Sequence, residues 1–297
     1  MIADDVEAFL SALEFERGMS PNTCEAYGSD LRFFSAWLEK RGRRLSSEVA
    51  RDDIADFLRD ERDAGMKGST RARRTAAIRM WLRYLKERRM IRINPSELMD
   101  SPKKELVLPR VLSEAEVASL LDGVKGDSPR DLRDRAMLET MYGCGLRVTE
   151  VCELKMDDIV AEGELLRIFG KGSKERLVPI GKSAGNALNA YFDSARGSFT
   201  KGNLVETHVF VTRLGRPFTR QGVFKIIKER AAAVGIAPDR ISPHVLRHCF
   251  ASHMLAHGAD IRVIQELLGH ADIGTTQVYT HVDTARFFEI HKLHPRH

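Results

Sequence analysis

The fold class this sequence predicts is a mainly α-helical protein of two domains, with a small antiparallel β-sheet confined to the second. Three observations carry that expectation. Apolar residues recur at helical spacing along much of the 297-residue chain, on stripes bounded by capping residues. A charged stretch bracketed by Pro102 and Pro109 divides the chain. One clear pair of β-prone runs flanks a glycine-containing turn.

The first hundred residues read as about four helices, the makings of a small bundle. Residues 5–17 form the opening segment. Ser20-Pro21 is an N-cap with proline at the first helical position, ahead of Leu31, Phe34, Trp37 and Leu38, and the run ends near Gly42. Residues 53–64 carry Ile54, Phe57 and Leu58 and stop at Gly65. Ser69 is placed to cap a further helix with Ile78, Trp81, Leu82 and Leu85 on one stripe, and Asn94-Pro95 ends it. The predicted organisation is an N-terminal helical domain over 1–95, a linker over 96–110 and a second domain over 111–297.

That second domain opens on Ser113-Glu-Ala-Glu116, a capping box. Residues 165–169 and 176–180 are the two β-prone runs. Thr219 caps a helix over 220–234 that ends at Gly235. Ser242-Pro243 caps another running to His257-Gly258, and Asp260 a third ending at Gly269. The pattern does not alternate strand and helix, so a βαβ architecture is excluded.

Composition sets bounds. Hydrophobic residues make up 43% and charged residues 30%, ordinary for a soluble globular protein. No stretch has the apolar length of a membrane span. The opening Met-Ile-Ala-Asp-Asp-Val-Glu lacks the basic and apolar regions of a signal peptide, so a cytoplasmic location is expected. Cys24, Cys144, Cys152 and Cys249 show no Cys-x-x-Cys spacing and read as reduced, packing thiols. Net charge is only +5, but its distribution is uneven. Residues 1–66 carry fifteen acidic and nine basic side chains, whereas residues 67–92 carry ten basic and one acidic. A polyanion is drawn to such a stretch.

Six residues form the candidate chemistry. Arg147 sits at a helix start beside the turn of Gly143 and Gly145, with Glu150 three residues on to orient it. His244 and Arg247 lie in the first turns of the Ser-Pro-capped helix, where Leu246, Phe250 and Met254 make the core-facing row and leave the charged pair available. Lys171 occupies the Gly-Lys-Gly turn between the strands, with Lys174 as its rival. His270 follows Gly269, and Tyr279 comes nine residues later. Two arginines, two histidines, a lysine and a tyrosine suffice to break and remake a phosphodiester without metal. Guanidinium forks match the charged oxygens of a phosphorane.

Two other chemistries are set aside. The pairs His244/His248 and His253/His257 have metal-ligand spacing, but neither contains the glutamate of His-Glu-x-x-His or a poised third ligand. Gly170-Lys-Gly-Ser-Lys lacks the spacing of a phosphate-binding Walker loop, so ATP use is not indicated. No cofactor is expected.

Gly145-Leu-Arg147-Val-Thr-Glu, Gly170-Lys171-Gly-Ser-Lys-Glu-Arg, His244-Val-Leu-Arg247-His, Leu-Leu-Gly-His270 and Tyr279-Thr-His resemble, in order and spacing, the tyrosine recombinase (phage integrase) family. Residues 132–139 and 257–264 and the terminal His294-Pro-Arg are similar to its Xer branch. The resemblance covers essentially the whole chain and implies a two-domain DNA clamp, a helical bundle joined to a tyrosine-recombinase catalytic domain. It makes Tyr279 the nucleophile, Arg147 and Arg247 the clamps on the phosphate, and His270 a further hydrogen-bond donor. Lys171 becomes the acid for the leaving oxygen, and His244 an acceptor for the tyrosine proton. It also implies a duplex core site, a XerC-like partner recombinase in a heterotetrameric synapse, a septal DNA translocase and the resolution of chromosome dimers. A C-terminal helix with Phe287 and Phe288 is expected to dock on a neighbouring protomer. The competing readings are a phage or mobile-element integrase with the same chemistry and a non-catalytic architectural DNA-binding protein.

Overall fold

In the computed structural model, residues 1–16, 19, 21–98, 111–170, 175–201, 205–269 and 287–297 are described. The chain divides into two compact units, Met1–Val107 and Leu108–His297.

In the first unit the apolar stripes fold as their spacing predicts. Helix α1 (Ile2–Phe15) buries Ile2, Val6, Phe9 and Leu13 along one face. Helix α2 (Pro21–Lys40) contributes Leu31, Phe34 and Leu38, and α3 (Arg51–Asp63) adds Ile54 and Phe57. Helix α4 (Gly68–Glu87) closes the core with Ile78, Trp81, Leu82 and Leu85. Phe34 lies at the centre, its ring centroid 4.9 Å from Phe57 and 6.4 Å from Trp81. The cap of α4 differs from expectation: it lies two residues earlier, at Lys67, with Ser69 already inside the helix. The basic run is also not a uniform solvated face. Arg74 turns inward onto Asp30 and Glu61, while Arg73, Arg83, Arg88 and Arg89 stay exposed. The expected extended stretch at 101–109 and the proposed cap Ser20 lie outside the described residues.

The second unit begins with α5 (Glu114–Asp122), whose Ser113–Glu116 capping box forms as predicted. Helix α6 (Pro129–Gly143) is buried on nearly every side, with Ala136, Met137, Leu138, Met141 and Tyr142 inside, and it is the axis of this core. Short α7 (Val148–Glu153) leads to a three-stranded antiparallel sheet of β1 (Ile159–Val160), β2 (Leu165–Phe169) and β3 (Glu175–Pro179). The hairpin register runs from Leu165 opposite Pro179 to Phe169 opposite Glu175. The two-residue β1 carries too little pattern to be read from sequence. Helix α8 (Lys182–Tyr191) continues through a π-helical stretch, Phe192–Arg196, into α9 (Gly197–Thr200). Three capped helices follow: α10 (Arg220–Ala233), α11 (Pro243–Ala256) and α12 (Ile261–Leu268). Thr219, Ser242 and Asp260 each accept a backbone N–H as the sequence predicts.

The thiols are free, and Cys144, Cys152 and Cys249 are buried. Burial pushes the Cys144 thiol up to about 12, which suits packing and not reactivity. No helix among the described residues is long and apolar enough to cross a membrane.

Candidate active site

The turn before α7 sets the site. Gly145 has φ +59°, and a Cβ there would sit 2.7 Å from a ring carbon of Phe250 and 3.0 Å from a methyl of Leu268. Only glycine allows so tight a turn against α11 and α12. The turn delivers Arg147 to the N-cap of α7. Its backbone N–H donates to Glu150 Oε2 at 2.7 Å and its Nη1 to Oε1 at 2.8 Å.

Glu150 is a hub. It is buried, and Arg176 on β3 meets both of its oxygens with Nη1 and Nη2, each at 2.8 Å. Arg247 Nη1 lies 3.6 Å from Oε2. Burial works to raise the Glu150 carboxyl, but the hydrogen bonds and charges of Arg176 and Arg147 outweigh it and hold the group below its ordinary value.

The same three guanidiniums cap the C-terminus of α12. Arg176 Nε donates to the Leu267 carbonyl at 2.7 Å, Arg247 Nη2 to the Leu268 carbonyl, and Arg147 Nη2 to the Gly269 carbonyl at 3.2 Å. Gly269, at φ +65°, ends the helix in the left-handed region, and its own N–H returns to Gln265 and Glu266. The carbonyls a helix end leaves orphaned are thus all taken, three of them by cations at the negative end of the helix dipole.

This corrects the expectation for Arg247. It does not stand available on the helix surface: it is 8% exposed and held by the Gly145 carbonyl at 2.7 Å as well as by α12. Burial first, then Arg147 and Arg176, lowers its guanidinium to about 9 against the pull of Glu150, so it stays protonated at neutral pH. Three guanidiniums against one carboxylate leave two positive charges in excess, and the Arg147 side chain is 37% exposed. An oxyanion approaching Arg147 meets a rigid, cationic, partly dehydrated surface.

The structure therefore brings Arg147 and Arg247 together. His244 lies exposed in the first turn of α11, one turn before Arg247. Lys171, its rival Lys174, His270 and Tyr279 lie outside the described residues. Of the other histidines, His253 belongs to the core: its Nε2 donates to the Leu112 carbonyl at 2.9 Å, and its Nδ1 accepts from the Tyr142 hydroxyl at 2.8 Å. His257 pairs with Glu114.

Residues 287–297 pack on their own unit. Phe287 enters its core, His291 Nε2 donates to the Gly143 carbonyl at 2.8 Å, and Arg296 bridges Glu139 and Asp122. Arg176, the last residue of the Gly170–Arg176 motif, is a site residue that the sequence alone did not reveal. One signal was present. Arg176 shares strand parity with Val178, so it is a charge on the buried side of β3.

The phage integrase family model matches residues 110–286, and the model of the phage integrase N-terminal SAM-like domain matches residues 6–89. The chain belongs to the phage integrase family, the tyrosine recombinases, enzymes of DNA strand exchange through a tyrosine intermediate. Within it the chain is similar to the tyrosine recombinase XerD of Pseudomonas aeruginosa, 43% identical over 292 residues that cover 98% of this chain and 97% of that protein. The fold matches the Tn1549 transposon integrase in complex with a circular intermediate DNA, with TM-score 0.73, 17% identity and coverage of 96% and 98% of the two chains. It also matches a lambda integrase tetramer bound to a Holliday junction, with TM-score 0.65, 19% identity and coverage of 93% and 80%.

Proposed function

We propose that this chain is a XerD-like site-specific recombinase in which Tyr279 is the nucleophile. Its phenolic oxygen attacks the scissile phosphorus, the bond from phosphorus to the 5′-oxygen breaks, and a 3′-phosphotyrosyl link and a free 5′-hydroxyl result. The bond energy is kept for rejoining to a partner strand. Arg147 and Arg247 hold the non-bridging oxygens and His270 adds a hydrogen bond to them. Lys171 protonates the departing 5′-oxygen, and His244 helps take the tyrosine proton. The guanidiniums supply the charge stabilisation of the transition state.

The observation that carries this reading is the convergence of Arg147 and Arg247 on consecutive carbonyls at the end of α12, immediately before His270 in the chain. The domains at 1–95 and 111–297, joined by the linker at 96–110, would close on a duplex core site as a clamp. Helices α4 and α10 would face DNA, α4 through Arg73 and Arg83 and α10 through its exposed Arg220 and Lys228. A heterotetrameric synapse with a XerC-like recombinase, activation by a septal DNA translocase, a cytoplasmic location and resolution of chromosome dimers complete the reading. They are supported by the likeness to XerD and, for the four-protomer state, by the lambda integrase tetramer. In the synapse the tail that packs at home here would exchange onto a neighbour.

On a nicked duplex carrying the core site, Arg147→Ala and Arg247→Ala are expected to bind DNA but to cleave on the order of 10² to 10³ more slowly, the cost of losing a transition-state donor. If either substitution weakens binding alone and leaves single-turnover cleavage unchanged, the clamp assignment fails.

A further inference from the structure

Arg176 joins two of the elements that hold the clamp arginines, α7 through Glu150 and the end of α12 through the Leu267 carbonyl. It is 4% exposed, on the inward side of β3. Its Nη1 and Nη2 take both oxygens of Glu150, the carboxylate that fixes both the backbone and the guanidinium of Arg147. Its Nε takes the Leu267 carbonyl, next to the Leu268 carbonyl that holds Arg247. Its Cδ and Nη1 lie 3.2 Å and 3.3 Å from where a Cβ on Gly269 would stand, so the left-handed glycine that ends α12 is also what lets the guanidinium in. Three directions of one planar fork are thus used on two elements, and Arg147 and Arg247 are reached through its partners.

From this geometry we infer that Arg176 is a positioning residue for the strand-transfer reaction. It locks α7, the end of α12 and β3 into one frame, so that Arg147 and Arg247 present their donors at fixed places. The inference rests on the reading of those two arginines as the phosphate clamp. Arg176 has no exposed face with which to meet DNA itself, and the two clamp arginines carry the contact. A lysine cannot reproduce the arrangement. Its ammonium is a single point of charge, whereas the observed contacts need a fork that spans both carboxylate oxygens and a third bond along Nε.

Arg176→Ala strips a buried carboxylate of its bidentate partner and threatens the fold. The test therefore uses Arg176→Lys, with Arg147→Ala measured alongside. Single-turnover cleavage of a nicked core-site duplex is followed at saturating protein, with DNA affinity and thermal unfolding measured on the same samples. Arg176→Lys is expected to stay folded and to bind within about threefold of the parent. Its cleavage rate should fall by roughly 10- to 100-fold, the usual loss when the support of a functional group is removed. The same duplex with a neutral methylphosphonate at the scissile position supplies a readout that a merely structural role would not move. With one charged oxygen gone the clamp has less to hold, and the Arg176→Lys defect should narrow. A parent-like rate on the natural phosphate, a loss confined to affinity or folded fraction, or a defect of equal size on the methylphosphonate would each overturn the inference. Full cleavage by Arg147→Ala would instead overturn the clamp and the inference with it. A failed Arg147→Ala beside a parent-like Arg176→Lys overturns the inference alone.

Discussion

Glu150 shows how a buried carboxylate can organise a cationic site. It stands among Arg147, Arg176 and Arg247, and its charge is what lets three guanidiniums share one end of α12. Replacing it by glutamine leaves those cations without a counter-charge. Glu150→Gln should therefore cost about 3–5 kcal/mol in urea unfolding at neutral pH, the usual penalty for breaking a buried pair from one side. The pH dependence has a defined sign. The folded-state carboxyl lies below its ordinary 4.5, so its contribution is complete above that value and is lost as pH falls through the lower, folded-state value. The difference between parent and Glu150→Gln should accordingly shrink on acidification below about pH 4.5, and a constant difference would contradict the ion-pair account. At this scale the sequence was partly legible. The three-residue spacing of Arg147 and Glu150 exposed their pairing, because it is local. The burial of Arg247 and the role of Arg176 depend on carbonyls 21 and 91 residues away, which no local pattern encodes.

At the scale of elements, the turn at Gly145 and the tail behind Phe287 make separate predictions. Gly145→Ala would push a methyl into Phe250 and Leu268 from a left-handed backbone. Overpacking and the αL penalty together should cost about 2–5 kcal/mol, read by thermal or urea unfolding, and cleavage should fall because the Gly145 carbonyl also holds Arg247. The tail responds to acid. His291 donates through Nε2 to the Gly143 carbonyl and meets His297 through Nδ1, with His294 and Phe250 close by and Tyr142 against His294. Burial chiefly, and His297 next, lowers the His291 ring to about 4 from its ordinary 6.5, although the bond to Gly143 works the other way. The unfolded chain then binds protons that the folded one refuses, so stability falls as pH drops across that window. His294 is lowered as well, by burial first and then by His291, and acts in the same direction. Protection of residues 287–297 against hydrogen exchange, relative to the intrinsic rate at each pH, should fall as pH drops from 6.5 to about 4, and His291→Gln, which keeps a donor for Gly143, should flatten that fall. Capped, periodic helices such as α5, α10, α11 and α12 were legible because propensity, cap and stripe agree. The start of α4 was misplaced because Ser69 is the better cap by propensity, yet the helix begins before it. Two-residue β1 exists only through its pairing with β2 and has no signal of its own.

At the scale of the whole molecule, the charge asymmetry that composition concealed becomes a binding prediction. Arg83 is exposed on α4, while Arg74 is spent on Asp30 and Glu61. Arg83→Ala should weaken binding to any duplex and reduce the slope of log affinity against log salt by about one, as for one lost phosphate contact. Arg74→Ala should act mainly through stability, and a Arg74→Ala salt slope reduced as much as that of Arg83→Ala would contradict the division of roles within α4. Two-unit organisation was legible from the proline-bracketed stretch, and the helical class from periodicity. The meeting of Arg147, Arg176 and Arg247 was not, because they are spread along the chain and come together only through the fold. The central claim is that these residues make Tyr279 a nucleophile toward DNA, and trapping tests it most directly. A nicked suicide duplex incubated with the protein in EDTA should yield a covalent protein–DNA adduct, and Tyr279→Phe should yield none. An adduct that disappears with EDTA, or one that persists in the phenylalanine variant, would contradict it.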